Sequence, residues 1–80
     1  MSKTMKINVK TYEYDYEING VIKRQVRVIE DTDMEIKREG GKFGDILRAF
    51  PGWTKTCIHG NEMRLHNADW TRGMMVTILD

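Results

Sequence analysis

The run Tyr12-Glu-Tyr-Asp-Tyr-Glu-Ile-Asn-Gly20, followed by Val21 to Ile29, constrains the fold more than any other part of the chain. Large and charged residues alternate on both sides of an Asn-Gly step. A period of two is the period of a strand, and Asn-Gly between two such runs predicts a β-hairpin. A three-residue loop, Ile18-Asn19-Gly20, with Gly20 in the left-handed bulge position, pairs Tyr16 with Ile22, Tyr14 with Arg24 and Tyr12 with Val26. This register gathers Tyr12, Tyr14, Tyr16, Ile22, Val26 and Val28 on one face. A two-residue loop would set Ile22 and Val26 opposite Glu17 and Glu13 and waste that face.

Upstream, Met5, Ile7 and Val9 alternate in the opposite phase to the tyrosines. Either a β-bulge near Lys10-Thr11 swaps the faces or both faces are partly covered, and the bulge is the expected solution. Thr32-Asp-Met-Glu35 has capping-box spacing, so residues 33 to 41 read as a first helical turn or a loop. Phe43, Ile46, Leu47 and Phe50 then fall at i, i+3, i+4 and i+7, the stripe of a short amphipathic helix ending at Phe50, before Pro51-Gly52. Beyond it, Trp53 to His59, a Gly60-Asn61 turn and Glu62 to His66 read as a second hairpin with Ile58, Met63 and Leu65 on one face. Asn67-Ala-Asp-Trp70 is a polar capped turn. Met74 to Leu79, apolar at nearly every position, reads as a strand in the middle of the sheet.

No repeat, low-complexity tract or linker divides the 80 residues, so residues 1–80 form a single domain with one modest core. Thirteen basic and twelve acidic residues give a formal charge of +1, and neither half carries a basic or acidic tail. Electrostatic steering toward nucleic acid or a membrane is not expected from this balance. The lone Cys57 cannot close an internal disulfide, and the sequence shows no signal peptide or membrane-length apolar run. A cytoplasmic location is the expectation.

The order β-β-α-β-β-β, with the last strand central, resembles the ubiquitin-like β-grasp superfamily. Met5-Lys-Ile-Asn-Val-Lys-Thr11 is similar to ubiquitin's opening M-x-I-x-V-K-T, and Asn67 to Leu79 resembles the family's closing Asp-aromatic turn and aliphatic strand. The resemblance implies an α+β fold in which a mixed sheet packs on one short helix. Ubiquitin-like modifiers and sulfur carriers use a terminal Gly-Gly, whereas this sequence reads Ile78-Leu79-Asp80, so conjugation and sulfur transfer are not expected. The β-grasp ferredoxins hold their cluster with four cysteines, and one cysteine does not suffice.

Cys57, His59 and His66 invite a metal or nucleophile reading. With Gly60-Asn61 as a two-residue turn, Cys57 opposes Arg64 and His59 opposes Glu62, which leaves the three residues strung along an open face without the convergence zinc requires. A Cys57-His59 pair oriented by Glu62 would lack an oxyanion hole and a desolvated pocket there. No metal, cofactor or catalytic activity is expected. Gly41-Lys42-Phe43-Gly44 is similar to the GxxG loop with which KH domains clamp nucleotides, but Glu39 and Gly40 precede it where that family carries aliphatics. The tyrosines read as sheet-covering residues before base-stacking ones, and Glu13, Asp15 and Glu17 as an acidic row in cross-strand ion pairs.

The sheet face away from the helix is where β-grasp proteins commonly receive partners. The outward residues expected there are Lys55, Cys57, His59, Glu62, Arg64 and His66, with Met75, Thr77 and Leu79. Met and Leu among Arg and His suit a moderate protein interface. The sequence thus reads as a non-catalytic protein-binding module: a small accessory, adaptor or inhibitor protein, of the size phages and mobile elements use against host enzymes. The protein-binding surface comprises Lys55, Cys57, His59, Arg64, His66, Met75 and Leu79. The alternative is a small RNA- or single-stranded-DNA-binding protein using Gly41 to Gly44.

Overall fold

The computed structural model describes residues 3–16 and 23–79. They form β1 (Lys3–Tyr16), β2 (Lys23–Arg38), α1 (Lys42–Ala49), β3 (Thr54–His59), β4 (Glu62–His66) and β5 (Arg72–Ile78). One five-stranded sheet has the order β2-β1-β5-β4-β3, and every neighbouring pair is antiparallel. The ubiquitin-like β-grasp expectation is therefore corrected: a mixed sheet needs a parallel pair, and here β1 and β5 run in opposite directions from Ile7↔Ile78 to Glu13↔Arg72. Alternating burial looks the same for either strand direction, so the apolar run Met74–Leu79 placed a strand without orienting it.

β5 stands third of the five strands, with Met74, Val76 and Ile78 buried. Strict alternation of direction makes β2 and β3, the two edge strands, run the same way. A connection between strands of one direction has to cross the sheet, and residues 39–53, containing α1, make that crossing from one edge to the other. The helix thereby covers one face. Its Ile46 joins Met5, Ile7, Val9, Ile36, Met63, Leu65, Met74, Val76 and Ile78 in the core, with Phe43, Phe50 and Trp53 packed against it.

Local chemistry fixes where α1 begins and ends. Asp45 is buried, and its Oδ2 accepts from the backbone N–H groups of Glu39 (3.1 Å) and Gly40 (3.3 Å), while Arg48 pairs with Oδ1. The carboxylate of the first turn thus ties down the loop ahead of the helix. After Ala49, Phe50-Pro51-Gly52-Trp53 closes with a Trp53 N–H to Phe50 carbonyl bond of 3.3 Å, and Gly52 has φ +89°. Proline followed by a left-handed glycine is the type II turn. In the β3–β4 hairpin Gly60 has φ +61°, the first position of a type II′ turn.

Three further expectations change. The capping-box segment Thr32–Glu35 lies inside β2, paired with Val9 through Lys6, so the strand continues to Arg38 where a helical turn or loop was expected. Thr-x-x-Glu spacing also fits a ladder in which Asp33 and Glu35 point out and Ile36 points in. In the first hairpin Tyr12 opposes Val28, Tyr14 opposes Gln25 and Tyr16 opposes Lys23, in place of Val26, Arg24 and Ile22. The loop expected at Ile18-Asn19-Gly20 lies outside the described residues. Finally, the register shifts at Thr11/Tyr12 and Glu13/Tyr14 leave Ile29 and Val26 as the extra residues, both on β2, while β1 stays in unbroken register with β5. The faces of β1 are not swapped: Val9 and Tyr12 lie on opposite sides of the sheet, and both sides are used.

Candidate interaction face

Opposed residues in an antiparallel ladder share a face, so the register generates the surface remote from α1 row by row. One row runs Asp31, Lys10, Met75, Arg64, Cys57 across all five strands; the next runs Asp33, Asn8, Thr77, Glu62, His59. A third row places Tyr12, Gly73, His66 and Thr54 side by side. Cys57, His59 and Arg64 are exposed, and Met75, Thr77 and Lys10 are half-buried. As the sequence implied, Cys57 opposes Arg64 and His59 opposes Glu62.

The expected surface residues divide. Cys57, His59, Arg64 and Met75 lie together on this face. Leu79, exposed just beyond β5, donates its N–H to the Lys6 carbonyl (2.9 Å) and lines an open groove of about 300 Å³ with Lys6, Asp33, Met34 and Glu35. Lys55 pairs with Leu65 and so falls in a core-facing row of the exposed edge strand; Thr56 is the extra residue that separates its phase from that of Cys57. His66 is buried. Its Nδ1 lies 2.7 Å from the Thr56 hydroxyl, and the Trp70 indole stacks on its ring with centroids 3.3 Å apart and planes inclined by 12°.

Trp70 reaches that position through a taut turn. Asn67 receives the Trp70 N–H (3.2 Å) on its carbonyl and the Arg72 N–H (3.0 Å) on its side-chain oxygen, and its own N–H bonds Arg72 (3.1 Å). Asp69 accepts from the hydroxyl (2.7 Å) and the N–H (3.3 Å) of Thr71. Those two bonds hold the Asp69 carboxyl below the ordinary carboxylate range. Trp70 itself has φ +62°, a left-handed backbone that bulky residues rarely adopt. The turn therefore works against local strain to lay an aromatic plate over His66.

Sequence reading anticipated the β3, β4 and β5 contributions to this face and missed those of β1. Lys6, Asn8 and Lys10 alternate with Met5, Ile7 and Val9, which was the available signal. The Gly41–Gly44 segment is built into α1: Gly41 is its N-cap residue, Lys42 and Gly44 are helical, and Phe43 packs against the core. Among the described residues no cluster of three or more His, Cys, Asp or Glu could hold a metal ion, and no helix is long and apolar enough to cross a membrane. No protein family, curated protein or solved structure matches the chain.

Proposed function

We propose that this chain is a non-catalytic protein-binding module, an accessory, adaptor or inhibitor that receives another protein on the sheet face remote from α1. One observation carries the reading: the two faces of the sheet are unequal. The helix and the core occupy one, while the other presents Met75 between Lys10 and Arg64, with Cys57 and His59 beside them. Mixed Met, Arg and aromatic surface on a rigid scaffold is the composition of interface centres. Cys57 and His59 stand on an exposed edge strand, where water screens the electrostatic effects that nucleophilic catalysis draws on.

The test is an affinity pull-down from native lysate, with and without nuclease, using the wild-type chain and Arg64→Glu. A partner protein retained after nuclease and lost from Arg64→Glu is the expected result. Retention of nucleic acid alone, abolished by nuclease, would refute the reading and return attention to Gly41–Gly44.

A further inference from the structure

The cations of this chain are unequally matched. Arg27 pairs with Glu13 at 3.0 Å, Lys37 with Glu39 at 3.0 Å, and Arg48 with Asp45. Lys10 and Arg64, among the described residues, form no ion pair. The ladder explains why. Asp31, which opposes Lys10, is bonded by the side-chain amide of Asn8 (2.8 Å), and the same amide bonds Asp33 (2.8 Å). The other neighbour of Lys10 in its row is Met75. Arg64 is flanked in the same row by Met75 and Cys57, neither of them anionic. Two unmatched cations thus stand one strand to each side of a half-buried methionine.

From this arrangement, and resting on the protein-binding reading above, the geometry points to an acidic amphipathic helix of the partner as the occupant of the face. Lys10 and Arg64 are two strand spacings apart, roughly 10 Å. On a helix, residues i and i+7 share a face and are separated by about 10.5 Å, so two carboxylates at that spacing reach both cations. Aliphatic residues at i+3 and i+4 then lie over Met75. An extended segment fits less well, because its same-face residues repeat every ~6.7 Å. Carboxylates on such a helix complete the charge matching that Asn8 denies to Lys10.

The probe is a synthetic alanine-based helical peptide with Glu at i and i+7 and Leu at i+3 and i+4. It is titrated into the full chain while backbone amide and methionine methyl shifts are followed by NMR. Saturable shifts at Met75 and along the Lys10 and Arg64 rows are expected, with Lys10→Glu and Arg64→Glu each weakening binding about tenfold. Lys37→Glu, outside the row, should leave binding unchanged. Both row residues lie at the surface, and unchanged amide dispersion in the variants confirms that they fold. Absence of saturable shifts, equal binding of a peptide with the second Glu moved to i+5, or tighter binding of a single-stranded oligonucleotide than of the peptide would each overturn the assignment. A partner protein captured equally by wild type and by the Lys10→Glu, Arg64→Glu double variant would overturn it too, while leaving the binding-module reading in place.

Discussion

Asp45 and Trp70 show how single residues hold this chain against local cost. Burial acts to raise the Asp45 carboxyl, but the N–H groups of Gly40 and Glu39 and the Arg48 guanidinium outweigh it, and the group is held below the ordinary carboxylate range. A carboxyl depressed by folding contributes stability that is present above its unfolded value, about 3.9, and is lost as the pH falls through the lower folded value. Asp45→Asn should therefore be less stable than wild type at neutral pH and should lose less on acidification below about 4. Urea unfolding at a series of pH values measures this, and parallel curves for the two proteins would contradict it. At Trp70 the left-handed backbone costs a non-glycine residue about 1–2 kcal/mol, while the ring covers His66. Removing the ring destabilises, but glycine also relieves the backbone and alanine does not. Trp70→Gly should consequently unfold at a higher urea concentration than Trp70→Ala, by a margin of about 1 kcal/mol, the reverse of the usual order. Equal midpoints would mean that the turn carries no strain.

Among the elements, α1 depends most on its neighbours. Eight residues are too few for an independent helix, and Gly44 within it lowers its propensity further. Ile46 is the helical residue wholly enclosed in the core. Ile46→Ala should cost about 2–5 kcal/mol, measurable by denaturant unfolding; a cost below 1 kcal/mol would show the sheet to be stable with the helix loosely attached. The apolar stripe at Phe43, Ile46, Leu47 and Phe50 made this helix legible, as did the Gly60-Asn61 step for the β3–β4 hairpin, because period and turn chemistry are written locally. Strand direction is not written locally: Met74, Val76 and Ile78 would be buried in a parallel or an antiparallel neighbour of β1 alike. Thr32–Glu35 misled because cap spacing and strand alternation coincide there, and only pairing with β1 decides between them. Half of the candidate face was legible for the same reason. The β4 and β5 rows followed from a recognisable turn, whereas the pairing of Lys10 with Met75 is a contact between residues 65 positions apart.

At the scale of the molecule, the sheet is supported unevenly along its length. The long axis is 51 Å against 21 and 19 Å, which accords with a 14-residue β1 spanning roughly 46 Å. Yet β5 accompanies β1 only from Ile7 to Glu13. From Tyr14 to Tyr16, β1 has β2 alone for a partner, in a two-stranded ribbon beyond the second register shift. Two strands without a third are marginal in water, whereas β5 has hydrogen-bonded neighbours on both sides and its inward side chains in the core. Opening of the ribbon should thus require much less free energy than opening of β5. Native-state hydrogen exchange should show the amides of residues 14–16 and 23–27 exchanging first, and those of Met74 to Ile78 last, near the global unfolding limit. Ile46→Ala should bring the β5 amides down with global stability and leave the ribbon amides almost unchanged, because the ribbon opens without disturbing the core. If both sets fell together, the ribbon and the helix-covered sheet would be one cooperative unit, and the uneven support read from the ladder would be wrong.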